Sequence, residues 1–148
     1  MRVKLKNNIK NIIAIIFLIT LACTVNISAQ VIIVNRSNPI SNLSKAMVRN
    51  IFLGNTSTWG SNSLIKIADY TAESKIRSDF SSTFLNLSPI RVSMLWIKVS
   101  LSGKSKPPKI FRDEDELKQY IAENEDAIGY ISQNSSVPSN LKIISVIQ

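Results

Sequence analysis

Three residues in the middle of the chain, Ser74, Lys75 and Arg77, have the types and the spacing that could bind an anion. The apolar pattern that follows them predicts a helix that starts at or just before Ser74, so both cations lie in its first turn. Cations there interact unfavourably with the positive end of the helix dipole, by roughly 0.3–1 kcal/mol each at low salt. An anion bound by free backbone N–H groups, the Ser74 hydroxyl and one cation would reverse that sign. Alternatively, Glu73 and Asp79 neutralise the cations locally and the cluster is a charged surface.

Two loops contain further candidate ligands. Residues 102–108 include Lys104 and superficially resemble a phosphate-binding loop, but they lack the GxxxxGK[ST] spacing and follow a predicted helix instead of a strand. We therefore interpret them as a solvated loop from which Lys104 could contact an anion. Residues 35–42 follow the first predicted strand and include Ser37. Ligands of α/β proteins bind at the carboxyl ends of strands, although serine and asparagine are also common in plain turns.

The residues that most enzymes use for catalysis are scarce in this chain. It contains no histidine and a single cysteine, Cys23, which excludes His-based triads, histidine metal sites and CxxC motifs. No serine is spaced to pair with a base and an oxyanion hole. The acidic run at 113–116 is interpreted as the start of a helix and not as a metal site. We therefore predict no catalytic residue, no metal site and no cofactor.

The first 29 residues have the features of a signal peptide. Four basic residues and no acid precede or flank an apolar run of about eleven residues, which is too short to span a bilayer. Ser28 and Ala29 offer small residues for cleavage before a domain at 30–148. A second reading is a lipoprotein signal at 20–23, in which Cys23 would carry the lipid, and a third is an uncleaved membrane anchor. Each of them predicts a periplasmic or extracellular domain.

Much of the positive charge belongs to that first segment. The whole chain has 18 basic and 10 acidic residues, a formal net charge of +8. Residues 30–148 retain 14 basic and all 10 acidic residues, a net charge of +4. No dense Lys/Arg stripe with interleaved aromatic residues remains, so we predict that nucleic acid is not a partner.

The apolar patterns predict an α/β domain with a small mixed sheet flanked by about four helices. Ser44, Ser74, Ser88 and Asp113 are placed to cap the helices, and Gly54 is placed to end the first. In the first helix Met47, Ile51 and Phe52 are expected to face inward. Strands are predicted at 31–34, 64–68, 127–131 and 141–147, and helices at 44–53, 74–87, 89–101 and 113–124.

Three sequence blocks resemble the substrate-binding proteins of phosphate ABC transporters, above all their short, single-lobe members. The blocks are IVNRSNP at 33–39, IFLG at 51–54 followed by Trp59, and AIGYI at 127–131. The resemblance covers about residues 31–131. It implies one periplasmic-binding-protein-like lobe that binds phosphate or a similar small oxyanion outside the cytoplasm, performs no chemistry and delivers to a membrane permease.

By position, the resemblance implies Ser37, Ser74 and Arg77 as ligands, with Lys75 and Lys104 adding positive potential. The chain departs from the family where Glu73-Ser74-Lys75 stands in place of a Ser-Gly-Thr run. Family members that transport phosphate also close two lobes around the ion, which a single lobe cannot do. Two alternatives therefore remain: the chain forms a homodimer, or it is an envelope interaction or sensing module whose ligand site is degenerate.

Overall fold

The computed structural model describes residues 29–60 and 62–147. Residues 1–28, which include Cys23 and all of the predicted signal peptide except Ala29, lie outside the described residues. Along the chain the elements are β1 (Gln30–Asn35), β2 (Asn42–Ser44), α1 (Lys45–Phe52), β3 (Lys66–Tyr70), α2 (Lys75–Phe80) continuing into a π-helical turn (Ser81–Leu85), α3 (Pro89–Leu101), β4 (Lys109–Phe111), α4 (Glu114–Ala122), β5 (Ala127–Ser132) and β6 (Leu141–Ile147). Within these residues, no helix has the length and apolar character to cross a membrane.

All six strands form one mixed sheet in the order β2-β6-β1-β5-β3-β4. Strand β1 runs antiparallel to both β5 and β6, whereas β3 runs parallel to β5 and β4. Because β1 and β3 run in opposite directions on either side of β5, their carboxyl ends lie at opposite edges of the sheet. This feature determines which predicted ligands can meet.

Helices cover both faces of the sheet, so its central strands are buried on both sides. On one face the Tyr130 ring stacks on Phe80 of α2, with centroids 3.8 Å apart, and meets Phe52 of α1 edge-on at 5.7 Å. On the other face α4 lies so close to Gly129 that a Cβ there would be 2.7 Å from Ile121. Helix α3 packs outside α1, where the Trp96 indole donates a hydrogen bond to the Phe52 carbonyl at 3.0 Å. The result is the predicted α/β architecture.

The predicted helix ends are confirmed by their hydrogen bonds. Gly54 follows the last residues of α1 with a left-handed φ of +73°, the conformation that favours glycine. Pro89 occupies the first position of α3. In the first turn of each helix, backbone N–H groups donate to the side chains of Ser44, Ser74, Ser88 and Asp113.

Three local expectations were wrong. The short strands β2 and β4 were not predicted, because three residues are too few to show an alternating pattern. The helix expected to run to residue 87 changes at Ser81 into a π-helical turn, whose extra residue rotates the later side chains by about 100°. Met47 was expected inside but is 39% exposed, and Val48 is buried in its place.

Candidate ligand-binding site

The loop after β1 is held by its asparagines. The Asn35 side chain accepts a hydrogen bond from the Ser37 N–H at 2.9 Å and donates to the carbonyls of Ile121 and Ala122. Asn38 is buried and donates to the Glu125 carbonyl at 2.9 Å. These contacts fix the loop to the end of α4 and to the connection that leads into β5. The Ser37 side chain is left exposed at this edge of the sheet.

The structure does not bring Ser37 together with Ser74 and Arg77. Val34 of β1 and Ile67 of β3 pair with the same residue of β5, Ile128, and are therefore level across the sheet. Beyond that level β1 continues for one more residue toward one end of the sheet, and β3 continues for three more residues toward the other end. At about 3.3 Å per residue their carboxyl ends lie about 13 Å apart along the strands. A single small oxyanion cannot contact both ends.

Arg77 is 4% exposed and its partner is a carboxylate that the sequence analysis did not single out. Its Nε lies 3.0 Å from Oδ2 of Asp69 in β3, which is close enough for an ion pair although the N–H is not aligned for a hydrogen bond. Its Nη2 donates to the Ser93 hydroxyl of α3 at 3.2 Å. The guanidinium therefore links the carboxyl end of β3 to α3.

Asp69 is held by two further donors. Its Oδ1 accepts from the Tyr130 hydroxyl at 2.6 Å and from the Tyr70 N–H at 2.8 Å. Burial raises the pKa of Asp69 above its usual range, against the opposing effect of Arg77 and of these hydrogen bonds. Burial, reinforced by the Asp69 carboxylate, raises the pKa of Tyr130 as well, so this hydroxyl stays protonated and keeps donating. Asp69 and Arg77 form a neutralised pair inside the fold.

Ser74 and Lys75 are also engaged within the chain. The Ser74 hydroxyl donates to the Thr71 carbonyl at 3.0 Å and accepts from the Arg77 N–H, as a helix cap does. Lys75 Nζ lies 2.7 Å from Asp79 Oδ2, and its side chain is 77% exposed. Local neutralisation, the alternative reading, thus holds for Lys75. It is wrong for Arg77, which is buried and paired with Asp69.

Arg77 and Ser93 line a cavity of about 590 Å³ beside the carboxyl end of β3, together with Thr71 and Ser100. The rest of the wall is largely apolar and includes Trp96 and Ile110. A buried guanidinium at the wall of a mostly apolar cavity is suited to an oxyanion, because its N–H groups match the geometry of carboxylate and phosphate oxygens. Only part of the Arg77 guanidinium is available to an oxyanion, because its Nε side faces Asp69.

Lys104 lies in a neighbouring cavity and not beside Arg77. That cavity has a volume of about 630 Å³ and also receives Lys66, Lys106 and Lys109. The two cavities share Ser100 and a proline in their walls. Of the five predicted ligands, the structure therefore groups only Ser74, Lys75 and Arg77 on one short segment. Within the part of the chain that the structure describes, no three acidic, cysteine or histidine residues cluster as a metal site would require.

Sequence reasoning missed Asp69 and Ser93. Asp69 directly follows the apolar pair Ile67-Ala68 and is close to the end of a strand, which was an available signal. A carboxylate at that place has to find a partner if the strand is central. Ser93 carried no comparable signal, because a serine one turn into a helix is usual on an exposed face.

Comparisons with known proteins agree with this architecture. A family model for the PBP superfamily domain matches residues 24–146. A comparison with curated protein sequences found no significant match.

Several solved structures share the fold at low sequence identity. They include an ABC-type phosphate transport receptor from Vibrio cholerae (TM-score 0.61, 22% identity over 78% of this chain and 44% of the receptor). A Clostridium perfringens protein solved with bound phosphate matches with a TM-score of 0.63, at 20% identity over 82% of this chain and 47% of that one. PstS from Borrelia burgdorferi matches with a TM-score of 0.62, at 18% identity over 80% of this chain and 47% of PstS. The chain spans less than half the length of these proteins, and its fold is that of a single lobe.

Proposed function

The chain belongs to the PBP superfamily, and we propose that it is a solute-binding protein that binds phosphate or a similar small oxyanion. Residues 1–29 act as its signal peptide, and residues 30–148 form the binding domain outside the cytoplasm. The protein performs no chemistry and passes its ligand, or reports its presence, to a membrane permease. Support for this comes from the fold, which the chain shares with a phosphate transport receptor and with a protein solved with bound phosphate.

The observation that carries the proposal is the position of Arg77. It is the buried cation at the wall of a cavity beside the carboxyl end of β3, where α/β proteins bind ligands. An oxyanion that replaces the Ser93 hydroxyl would accept hydrogen bonds from the outer edge of the guanidinium. Asp69 would hold the guanidinium in place during this exchange, because its own position is fixed by Tyr130 and Tyr70.

Ser74 and Lys75 contribute to this site less directly than the sequence suggests. Ser74 fixes the start of α2, and with it Arg77, while Lys75 adds positive potential that Asp79 partly cancels. Ser37, at the opposite sheet edge, is not part of it. Since one lobe leaves the ion partly in water, we expect weaker binding than two closed lobes achieve.

A second candidate function is an interaction or sensing module whose ligand site is degenerate. Two observations favour it. Arg77 is already neutralised by Asp69, and α3 carries an exposed apolar stripe in its described surface at i, i+4, i+7 and i+11. The stripe consists of Ile90, Met94, Ile97 and Leu101.

A thermal-shift titration of the purified protein with phosphate, sulfate and chloride at matched ionic strength separates the two candidates. A ligand that binds only the native state stabilises it by about 2.7 kcal/mol at a hundredfold excess over Kd. The test variant is Asp69→Asn with Arg77→Gln, which leaves no unpaired buried charge and keeps an oxygen for Tyr130. Lys98→Gln, on an exposed position of α3, is the control.

We expect phosphate to raise the melting temperature of the wild type and of Lys98→Gln with increasing concentration, and to leave the double variant unchanged. A flat response to every anion would contradict phosphate binding and make the interaction module the better account. The same response in the double variant would mean that phosphate binds elsewhere than at Arg77.

A further inference from the structure

The cavity that contains Lys104 has an unusual wall, and we call it the lysine cavity. Four lysines face it, together with three serines and the Tyr120 ring. None of the described residues that line it is acidic. Its lining residues are Ser57, Leu64, Ile65, Lys66, Ile67, Ser100, Gly103, Lys104, Ser105, Lys106, Pro107, Lys109 and Tyr120.

The charge of these lysines is not balanced nearby. Among the described residues, none of the four takes part in an ion pair. For Lys104, Lys106 and Lys109 the sequence explains this, because the stretch between Asp79 and Asp113 holds six basic residues and not one acid. Like charges that surround one cavity repel each other, although all four lysines are exposed and water and salt weaken the repulsion. A bound anion would remove it.

Two of the four ammonium groups are held in place by uncharged partners. Lys66 Nζ donates to the neutral side-chain oxygen of Asn124 at 2.7 Å. Lys109 Nζ lies over the Tyr120 ring, 4.5 Å from its centroid, and 5.5 Å from that of Phe111. Such contacts position a cation and leave it able to bind an anion. Lys104 and Lys106, on the exposed loop, are free to turn toward a ligand that these two hold.

The number of charges indicates the class of ligand. A phosphate group carries about −1.5 to −2 charges near neutral pH, so one such group does not match four ammonium groups. Two linked phosphate groups do. The volume of about 630 Å³ also lies in the range of sites for small organic ligands, and Leu64 and Ile65 provide an apolar wall for an organic portion.

We propose that the lysine cavity is a second ligand site, which binds a small polyanion that carries at least two linked phosphate groups. It is distinct from the site at Arg77, because neither Arg77 nor Ser93 lines it. The two sites are adjacent, with Ser100 and Pro107 between them. This proposal stands whether or not orthophosphate binds at Arg77.

Calorimetric titration of the purified protein tests it, with orthophosphate, pyrophosphate and ADP as probes at matched ionic strength without divalent cations. The test variant is Lys104→Gln with Lys106→Gln, two exposed positions at which the substitution buries no charge. The matched control is Arg91→Gln with Lys98→Gln, which removes the same net charge from exposed positions outside the cavity. ADP shows whether an organic portion adds affinity to the shared diphosphate.

We expect the wild type to bind at least one diphosphate probe roughly tenfold or more tightly than orthophosphate, because charged hydrogen bonds are the strong ones. The Lys104/Lys106 variant should lose roughly tenfold of that affinity, and the control less than about twofold, since distant exposed charges are screened. In the Asp69→Asn/Arg77→Gln variant, which lacks the other site, pyrophosphate and ADP binding no tighter than orthophosphate would overturn the proposal, as would equal losses in the Lys104/Lys106 variant and its control. The Asp69→Asn/Arg77→Gln variant should keep diphosphate binding, so failure at one site is distinguishable from failure at the other.

Discussion

At the scale of single residues, the molecule is organised around a buried ion pair. The sequence predicted that Ser74 caps a helix and offered Asp79 as a partner for Lys75, and the structure has both contacts. These interactions are local and follow from spacing along one helix. The partner of Arg77 could not be predicted in that way, because Asp69 reaches it from a strand whose place in the sheet depends on the whole fold.

The buried pair makes a pH-dependent prediction for Arg77→Met. Burial raises the pKa of Asp69, and the loss of Arg77 removes an opposing effect and raises it further. A carboxyl whose pKa is higher in the folded than in the unfolded state makes the folded protein less stable as the pH rises from the unfolded pKa to the folded pKa. The substitution should therefore cost less at pH 5 than at pH 8, where removing one partner of a buried pair costs about 3–5 kcal/mol.

Urea unfolding of the wild type and Arg77→Met at both pH values measures this difference. Lys75→Met breaks the exposed pair with Asp79 and is the control, with an expected cost of less than about 1 kcal/mol at either pH. An equal cost of Arg77→Met at pH 5 and pH 8 would mean that Asp69 does not become protonated when its partner is lost.

At the scale of elements, two of the sequence blocks that carried the family resemblance have physical explanations. Gly54 ends α1 and lies against α3, and Gly129 lets α4 approach β5. The helices and their ends were predictable, because caps and apolar stripes are local signals. The π-helical turn and the two short strands were not, because tertiary contacts decide them.

Gly54→Ala should destabilise the protein by about 1–3 kcal/mol. Alanine is strained at a φ of +73°, and its Cβ would lie 2.9 Å from Val99 and 3.0 Å from Trp96. Gly60→Ala is a matched control, because nothing lies within 4 Å of a Cβ at that position. The midpoints of urea unfolding compare the two, and equal midpoints would show that α1 and α3 are not held at this distance.

Glu114 links the start of α4 to the end of β5. Its carboxylate accepts from the Ser132 N–H at 2.8 Å and from the Ser135 hydroxyl, and Lys118 Nζ lies 3.6 Å away. Burial acts to raise the pKa of Glu114, but these hydrogen bonds and Lys118 together lower it. The stabilisation is thus present above the pKa of the unfolded chain and is lost as the pH falls through the lower folded value.

Glu114→Gln should therefore cost about 1–2 kcal/mol at pH 7 and progressively less in acid below the usual glutamate range. Unfolding by urea at pH 7 and pH 3 measures the change, with the exposed Glu125→Gln as control. A cost that is the same at both pH values would show that the charge of Glu114 does not matter for this link.

At the scale of the whole molecule, the protein has the fold of one lobe, and the solved structures that share this fold are more than twice as long as the part that it matches. The lobe buries a core of its own and has a cavity at each end of β3, the lysine cavity at the start of the strand and the Arg77 cavity at its carboxyl end. The α/β class was predictable, since alternating strands and helices restrict the architecture, and the single lobe was implied by the family resemblance. The direction of β1 was not, and that direction separates Ser37 from Arg77.

The central claim is that a small oxyanion binds at Arg77, and NMR titration of the purified protein with orthophosphate tests it most directly. The account predicts saturable shifts of the Arg77 Nε–H resonance and of the backbone amide of Ser93. The amides of Ser37 and Lys109 should not move. An unchanged Arg77 signal at saturating phosphate, or shifts confined to the Ser37 loop or to the lysine cavity, would contradict it.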